Sequence, residues 1–122
     1  MSLKTLEQKR AQFAYGQICN IKGKNYEVEY KSLVRGFASM ILQNGLGQAL
    51  AFLKAKKKDH HLFLYQHINS WLKEYFKKQN EFDILTAIIE EPSSNYRLYT
   101  KETLALLVWL RKFAEAELRS KE

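Results

Sequence analysis

Eighteen consecutive residues, Gly36 to Leu53, carry no charge, while lysines and glutamates crowd both flanks. A stretch this long must be buried somewhere. It is near the minimum for a membrane-spanning helix. Yet Ser39, Gln43, Asn44, Gln48 and three glycines lie within it, clustered at the centre, where a span has to be most apolar. Gln43-Asn44-Gly45-Leu46-Gly47-Gln48 instead reads as a helix stop followed at once by a helix start. The stretch is a helical hairpin turning at Asn44-Gly45, and the rest of the chain has to pack around it.

Apolar periodicity on either side is helical throughout. A first helix spans residues 4–22, with Leu6, Phe13, Ala14, Ile18 and Ile21 on one stripe, ended by Gly23 in a left-handed C′ position. Tyr26 to Gln43 forms the second. Its inner face is Tyr30, Val34, Phe37, Ala38 and Ile41, and Glu27 and Lys31 are spaced for an i,i+4 pair. Leu46 to Lys58 is the third helix, covered on two sides, with Gln43 and Gln48 partly buried. The fourth, His60 to Gln79, follows an Asp59 cap and buries Leu64, Ile68, Trp71, Leu72, Tyr75 and Phe76. Asp83 caps a short helix, Ile84 to Glu90. A loop at Pro92–Asn95 and a turn at 95–99 lead to a last helix capped by Thr100 and running to Arg119. Its stripe is Leu104, Leu107, Val108, Arg111, Ala114 and Leu118. The expectation is an all-α, compact single-domain bundle of about six helices over residues 1–122, with no sheet.

Chemistry of the catalytic kind is hard to find. His60, His61 and His67 are the only imidazoles, and their spacing does not suit zinc, which favours two ligands at i,i+4 with a third nearby. They read as surface or interface histidines. Glu90-Glu91 and Glu115/Glu117 do not converge as an acid–base pair. No phosphate-binding loop, nucleophile elbow or dinucleotide fingerprint is present. The chain reads as a non-enzyme with no cofactor, no metal and no small-molecule substrate. Cys19 stands alone, and the N-terminus lacks a charged-then-apolar leader pattern, so the expected compartment is reducing and cytoplasmic.

Charge gives the strongest functional signal. Residues 1–58 hold 11 Lys/Arg and 3 acids, whereas residues 59–122 hold 9 bases and 10 acids. The whole net charge of +7 therefore comes from the first half. Such polarity suits an anionic partner, nucleic acid before a membrane surface. Arg10, Lys22, Lys24, Arg35, Lys54, Lys56 and Lys57 are the candidate RNA-backbone contacts. The hairpin is expected to carry Lys31/Arg35 and the 54–58 run to one end of an antiparallel pair, as one basic surface. A second reading stays open, a basic helical protein–protein adaptor whose basic half meets an acidic protein without direct nucleic-acid contact.

Three motifs occur in order along the chain: Arg10-Ala11-Gln12-Phe13-Ala14-Tyr15; the hairpin from Phe37 to Phe52; and Tyr96-Arg97, Thr100-Lys101-Glu102-Thr103-Leu104 and Trp109-Leu110-Arg111-Lys112. Together they resemble the small helical subunit of type III-B CRISPR effectors, the Cmr complex. That resemblance implies a non-catalytic subunit whose copies stack head to tail beside the crRNA-binding backbone and line the groove for the crRNA–target RNA duplex. Its implied partners are other Cmr subunits, copies of itself, crRNA and target RNA, in antiviral defence, with no membrane.

Overall fold

The computed structural model describes residues 3–121. Six helices follow in order: α1 (Leu6–Ile21), α2 (Glu27–Asn44), α3 (Leu46–Lys56), α4 (Asp59–Tyr75), α5 (Ile84–Glu90) and α6 (Ser93–Glu117). Among the described residues there is no strand, and no helix is long and apolar enough to cross a membrane.

The uncharged stretch is a hairpin, and one residue makes its corner. Gly45 alone separates α2 from α3, at φ 89° and ψ 155°, a region essentially reserved for glycine. A Cβ there would stand 3.1 Å from the Tyr96 hydroxyl, which accepts a hydrogen bond from Gly47 N at 3.0 Å. The turn is thus clasped by α6. Ile41, Leu46, Ala49, Leu50 and Leu53 are buried, but Gln43 and Gln48 are exposed. The sequence pattern places both partly inside; the structure puts them on the outer sides of the corner, so their amides need no protein partner.

Local signals fix most helix ends. Thr5 closes a capping box over α1: its hydroxyl accepts from Gln8 N at 3.1 Å, and Gln8 Oε1 accepts from Thr5 N at 2.8 Å. Asp83 caps α5 by accepting from Thr86 N at 3.1 Å. Asn69 of α4 holds that corner by donating to Phe82 O (3.1 Å) and accepting from Ile84 N (2.7 Å). Asp59 is the first residue of α4 rather than its cap, and α4 ends at Tyr75.

The last helix departs most from expectation. It is continuous from Ser93, with Pro92 as its N-cap. Thr100 caps nothing; its hydroxyl donates to Tyr96 O, one turn back, at 2.9 Å. The helix begins two turns early, and its buried stripe is Tyr99, Thr103, Leu106, Leu107, Leu110 and Ala114, about one residue out of phase with the expected one, so that Val108 and Arg111 face out. α6 packs against α1, α2 and α4 and so forms the spine of the bundle.

Glu27 and Lys31 do not pair with each other. Both are buried, and each reaches the segment after α6. Glu27 accepts from Arg119 N (2.8 Å), Arg119 Nε (2.9 Å) and Gly23 N (3.0 Å). Burial works to raise its pKa, but the bonds from Arg119 and Gly23 outweigh that and hold the carboxyl below its usual range. Lys31 donates to Leu118 O at 2.9 Å and Ser120 Oγ at 2.8 Å, a cation on the carbonyl end of α6. Lys31 is therefore a structural clamp and contributes no charge to a surface.

Candidate nucleic-acid interface

The 54–58 lysines end one helix and begin the next. Lys57 takes a left-handed conformation, φ 58°, at the C-cap of α3, and Lys58 is the N-cap of α4. Cations here complement the C-terminal dipole of α3. Lys54 lies 5.1 Å over the Tyr65 ring and 3.9 Å from Asp83. Lys56 lies 5.4 Å over Phe52. Among the described residues, Lys56, Lys57 and Lys58 enter no ion pair.

A second loop meets this run. Tyr26, at the N-cap of α2, stacks on Phe63 of α4 with centroids 5.3 Å apart and 12° between planes. Asp59 is near enough to push the Tyr26 pKa up beyond what burial does, and Glu29 near enough to act on His60. The α1–α2 loop, carrying Gly23 and Lys24, thus shares an end of the bundle with Lys57 and Lys58. Lys24 likewise enters no ion pair among the described residues.

The other candidates divide cleanly. Arg10 is turned inward. Its Nε and Nη2 donate to the two oxygens of Glu102 at 2.6 and 2.7 Å, with 14 % of the Arg10 side chain and 6 % of that of Glu102 exposed. Trp71 Nε1 adds a third bond to Glu102 at 2.7 Å. The bond to Glu102 raises the guanidinium pKa further. Lys22 pairs with Glu117 at 3.1 Å and Arg35 with Glu115 at 2.8 Å. These three stitch α1 and α2 onto α6. Acids of the second half of the chain thereby neutralise part of the basic first half. Lys31 and Arg35 meet the end of α6, which lies at the α1–α2 loop and so at the same end of the bundle as the run, but the two groups do not form one free surface: Lys31 is buried on Leu118 O and Arg35 is paired with Glu115. The run meets Lys24 instead.

Two of the three histidines are not surface groups, His60 being only partly covered. His67 is buried, with its Nδ1 hydrogen-bonded to the Tyr30 hydroxyl at 2.6 Å. Desolvation lowers its pKa to about 4, so it is neutral near pH 7. His61 is buried beside Phe52, and desolvation, with His60, Lys56 and Lys58, lowers its pKa. A leucine- and tyrosine-rich α4 offered a sequence hint that its histidines would be drawn inside; the Tyr30–His67 pair, 37 residues apart, left no local signal. Among the described residues no group of three or more His, Cys, Asp or Glu side chains is placed to hold a metal ion.

Comparison with known proteins agrees with this architecture. A solved crystal structure, a CRISPR-associated Cmr5 family protein from Thermus thermophilus, superposes with a TM-score of 0.81 at 26% identity, over 95% of this chain and 100% of that one. The CRISPR system Cmr subunit Cmr5 of Thermus thermophilus is 26% identical over 114 residues, covering 93% of this chain and 96% of the relative. The protein of the same name from Thermotoga maritima is 28% identical over 125 aligned positions, covering 100% and 92%. The family model described as CRISPR-associated protein (Cas_Cmr5) matches residues 6–117, from the first residue of α1 to the last of α6. The chain belongs to the Cas_Cmr5 family of CRISPR-associated proteins.

Proposed function

We propose that this protein is a non-catalytic small subunit of a type III-B CRISPR RNA-targeting ribonucleoprotein, the Cmr complex. Copies stack head to tail as a short filament that lines the groove holding the crRNA–target RNA duplex, in cytoplasmic antiviral defence. The observation that carries the reading is the grouping of Lys24, Lys56 and Lys57 at one end of the bundle, without carboxylate partners among the described residues. Unpaired ammonium groups on short loops suit phosphate contact without sequence readout. Lys54, half engaged by Asp83, sits at the edge of this patch. Arg10 is buried against Glu102 and contributes through the fold, while Lys22 and Arg35, each paired with a carboxylate of α6 yet about half exposed, are weaker candidates for RNA contact.

Head-to-tail stacking needs two different complementary patches on one chain. Among the exposed apolar groups, two sets lie on different elements. Leu42 and Ile89 lie near the hairpin corner and α5, and Val108 lies on the outer side of α6. The partners so implied are copies of this chain, other Cmr subunits, crRNA and target RNA.

Binding of the isolated protein to a labelled RNA strand, titrated with salt, tests the RNA contact. Three phosphate contacts give a slope of about −2 in log K against log salt, hence about a 20-fold loss between 50 and 200 mM. Affinity indifferent to salt contradicts the proposal. Failure to retain RNA, with firm binding to a nuclease-treated protein partner, favours the adaptor reading.

A further inference from the structure

Arg10–Glu102 and Lys22–Glu117 tie α1 to α6, while α4 packs on α2, α3 and α6. α1 and α4 approach each other through Phe13 and Trp71, with centroids 5.2 Å apart. Toward the basic end they part, leaving a cleft of about 420 Å³, within the range of roughly 300–1,000 Å³ usual for small-ligand sites. Its walls are mixed: Gln17 and Asn20 from α1 face Gln66 and Ser70 from α4, Ile21, Tyr26 and Phe63 supply apolar surface, and Lys24 stands at the rim. No carboxylate lines it.

The floor adds a fixed donor. His67 lines the cleft, and its Nδ1 meets the fully buried Tyr30 hydroxyl. That hydroxyl proton has only Nδ1 to bond, so Nδ1 is the acceptor and the single imidazole proton sits on Nε2. Among the described residues Nε2 has no hydrogen-bond partner and is not one of the sealed, unpartnered atoms, so it opens to the cleft.

We propose that this cleft seats one unpaired nucleotide of a bound RNA strand, the base among the amides and against Tyr26, with Lys24 on its phosphate. The inference rests on the RNA-binding reading above and adds base contact to phosphate contact. Carboxamides and an N–H together match the mixed donors and acceptors of a base edge. A tyrosine already held flat by Phe63 is a preformed stacking platform for a base of any identity. The single cation at the rim suits one phosphate.

The test compares a fluorescein-labelled oligoadenylate of about eight nucleotides with an abasic strand of the same length and charge, a size within the range of single-strand sites. The native protein should bind the base-bearing strand about fivefold or more tighter, the low end of one base–aromatic stack. Gln66→Glu, an exposed change that puts a negative charge in the cleft, should erase that preference, and so should Tyr26→Leu. If Tyr26→Leu melts lower than the native protein, Gln66→Glu alone decides. Equal affinity for the two strands, or a preference that survives Gln66→Glu, overturns the cleft assignment while the phosphate contacts stand. Loss of binding to both strands by the native protein overturns both. Adenosine monophosphate displacing the strand at equal nucleotide concentration overturns RNA as the source of the base.

Discussion

Glu102 is the buried charge on which α1, α4 and α6 converge. It accepts two bonds from Arg10 and one from Trp71, all between 2.6 and 2.7 Å. Glu102→Gln keeps the shape and removes the charge, leaving a largely covered guanidinium with only the exposed Glu7, 2.9 Å from Nη1, as its anion. Breaking one side of such a pair costs about 3–5 kcal/mol, because the remaining charge stays desolvated. Arg10→Met strands the carboxylate instead, with Trp71 as its remaining donor, at a similar cost. The double variant Arg10→Met/Glu102→Gln strands no charge. It should be less destabilised than the sum of the singles by about 2 kcal/mol, a coupling typical of residues in direct contact. Thermal melts resolve this, since 1 kcal/mol moves the midpoint by about 4 °C in a chain of this length. Each single should melt about 12–20 °C low. The same variants report on function: Arg10→Met, assayed below its melting range, should bind RNA as the native protein does. Additive losses in the cycle, or a stable Arg10→Met with weakened RNA binding, would refute the assignment of Arg10 to the fold.

Other consequences are smaller in scope. Gly45→Ala forces a side chain into a glycine-only conformation and against the Tyr96 hydroxyl, so it should cost about 1–3 kcal/mol in denaturant unfolding; a neutral result would mean that the corner relaxes freely. Tyr96→Phe removes the acceptor for Gly47 N and should cost about 1 kcal/mol in the same assay. His67 titrates at about 4 in the folded chain and near 6.5 when unfolded. Its contribution is therefore complete above about pH 6.5 and is lost as pH falls toward 4, a total of about 3 kcal/mol. His67→Gln should flatten the pH dependence of stability across that window, and an unchanged slope would contradict the buried neutral assignment.

The sequence is most legible where the signal is local. Gly45 at the corner, Asp83 capping α5 and Gly23 past the end of α1 each act within a few residues. The α6 start is easily misread because Pro92-Ser93-Ser94-Asn95 has loop composition, although proline at a helix entrance is also a start signal. Thr100 then looks like a cap while its hydroxyl is satisfied one turn back. Separately, Trp109, Leu110 and Phe113 leave α6 apolar over much of its girth, so its stripe is easily phased one residue late, which wrongly puts Val108 and Arg111 inside. The candidate site is less legible still. Arg10 and Glu102 lie 92 residues apart, and Arg35 and Glu115 lie 80 apart. Charge counting along the chain cannot see that α6 brings acids to basic helices. The meeting of Lys24 with Lys57 and Lys58 depends on Tyr26 stacking on Phe63, again a tertiary event.

Target-RNA affinity of the reconstituted Cmr complex, with this subunit replaced by its Lys24→Glu/Lys56→Glu/Lys57→Glu variant, tests the RNA-lining role most directly. The three sites lie on exposed loops and helix ends, so the variant should fold and assemble. The predicted result is target binding weakened by about tenfold or more, roughly 1.4 kcal/mol. The salt slope should also flatten by about 2–3 per copy engaged. Unchanged affinity and an unchanged slope would contradict the account.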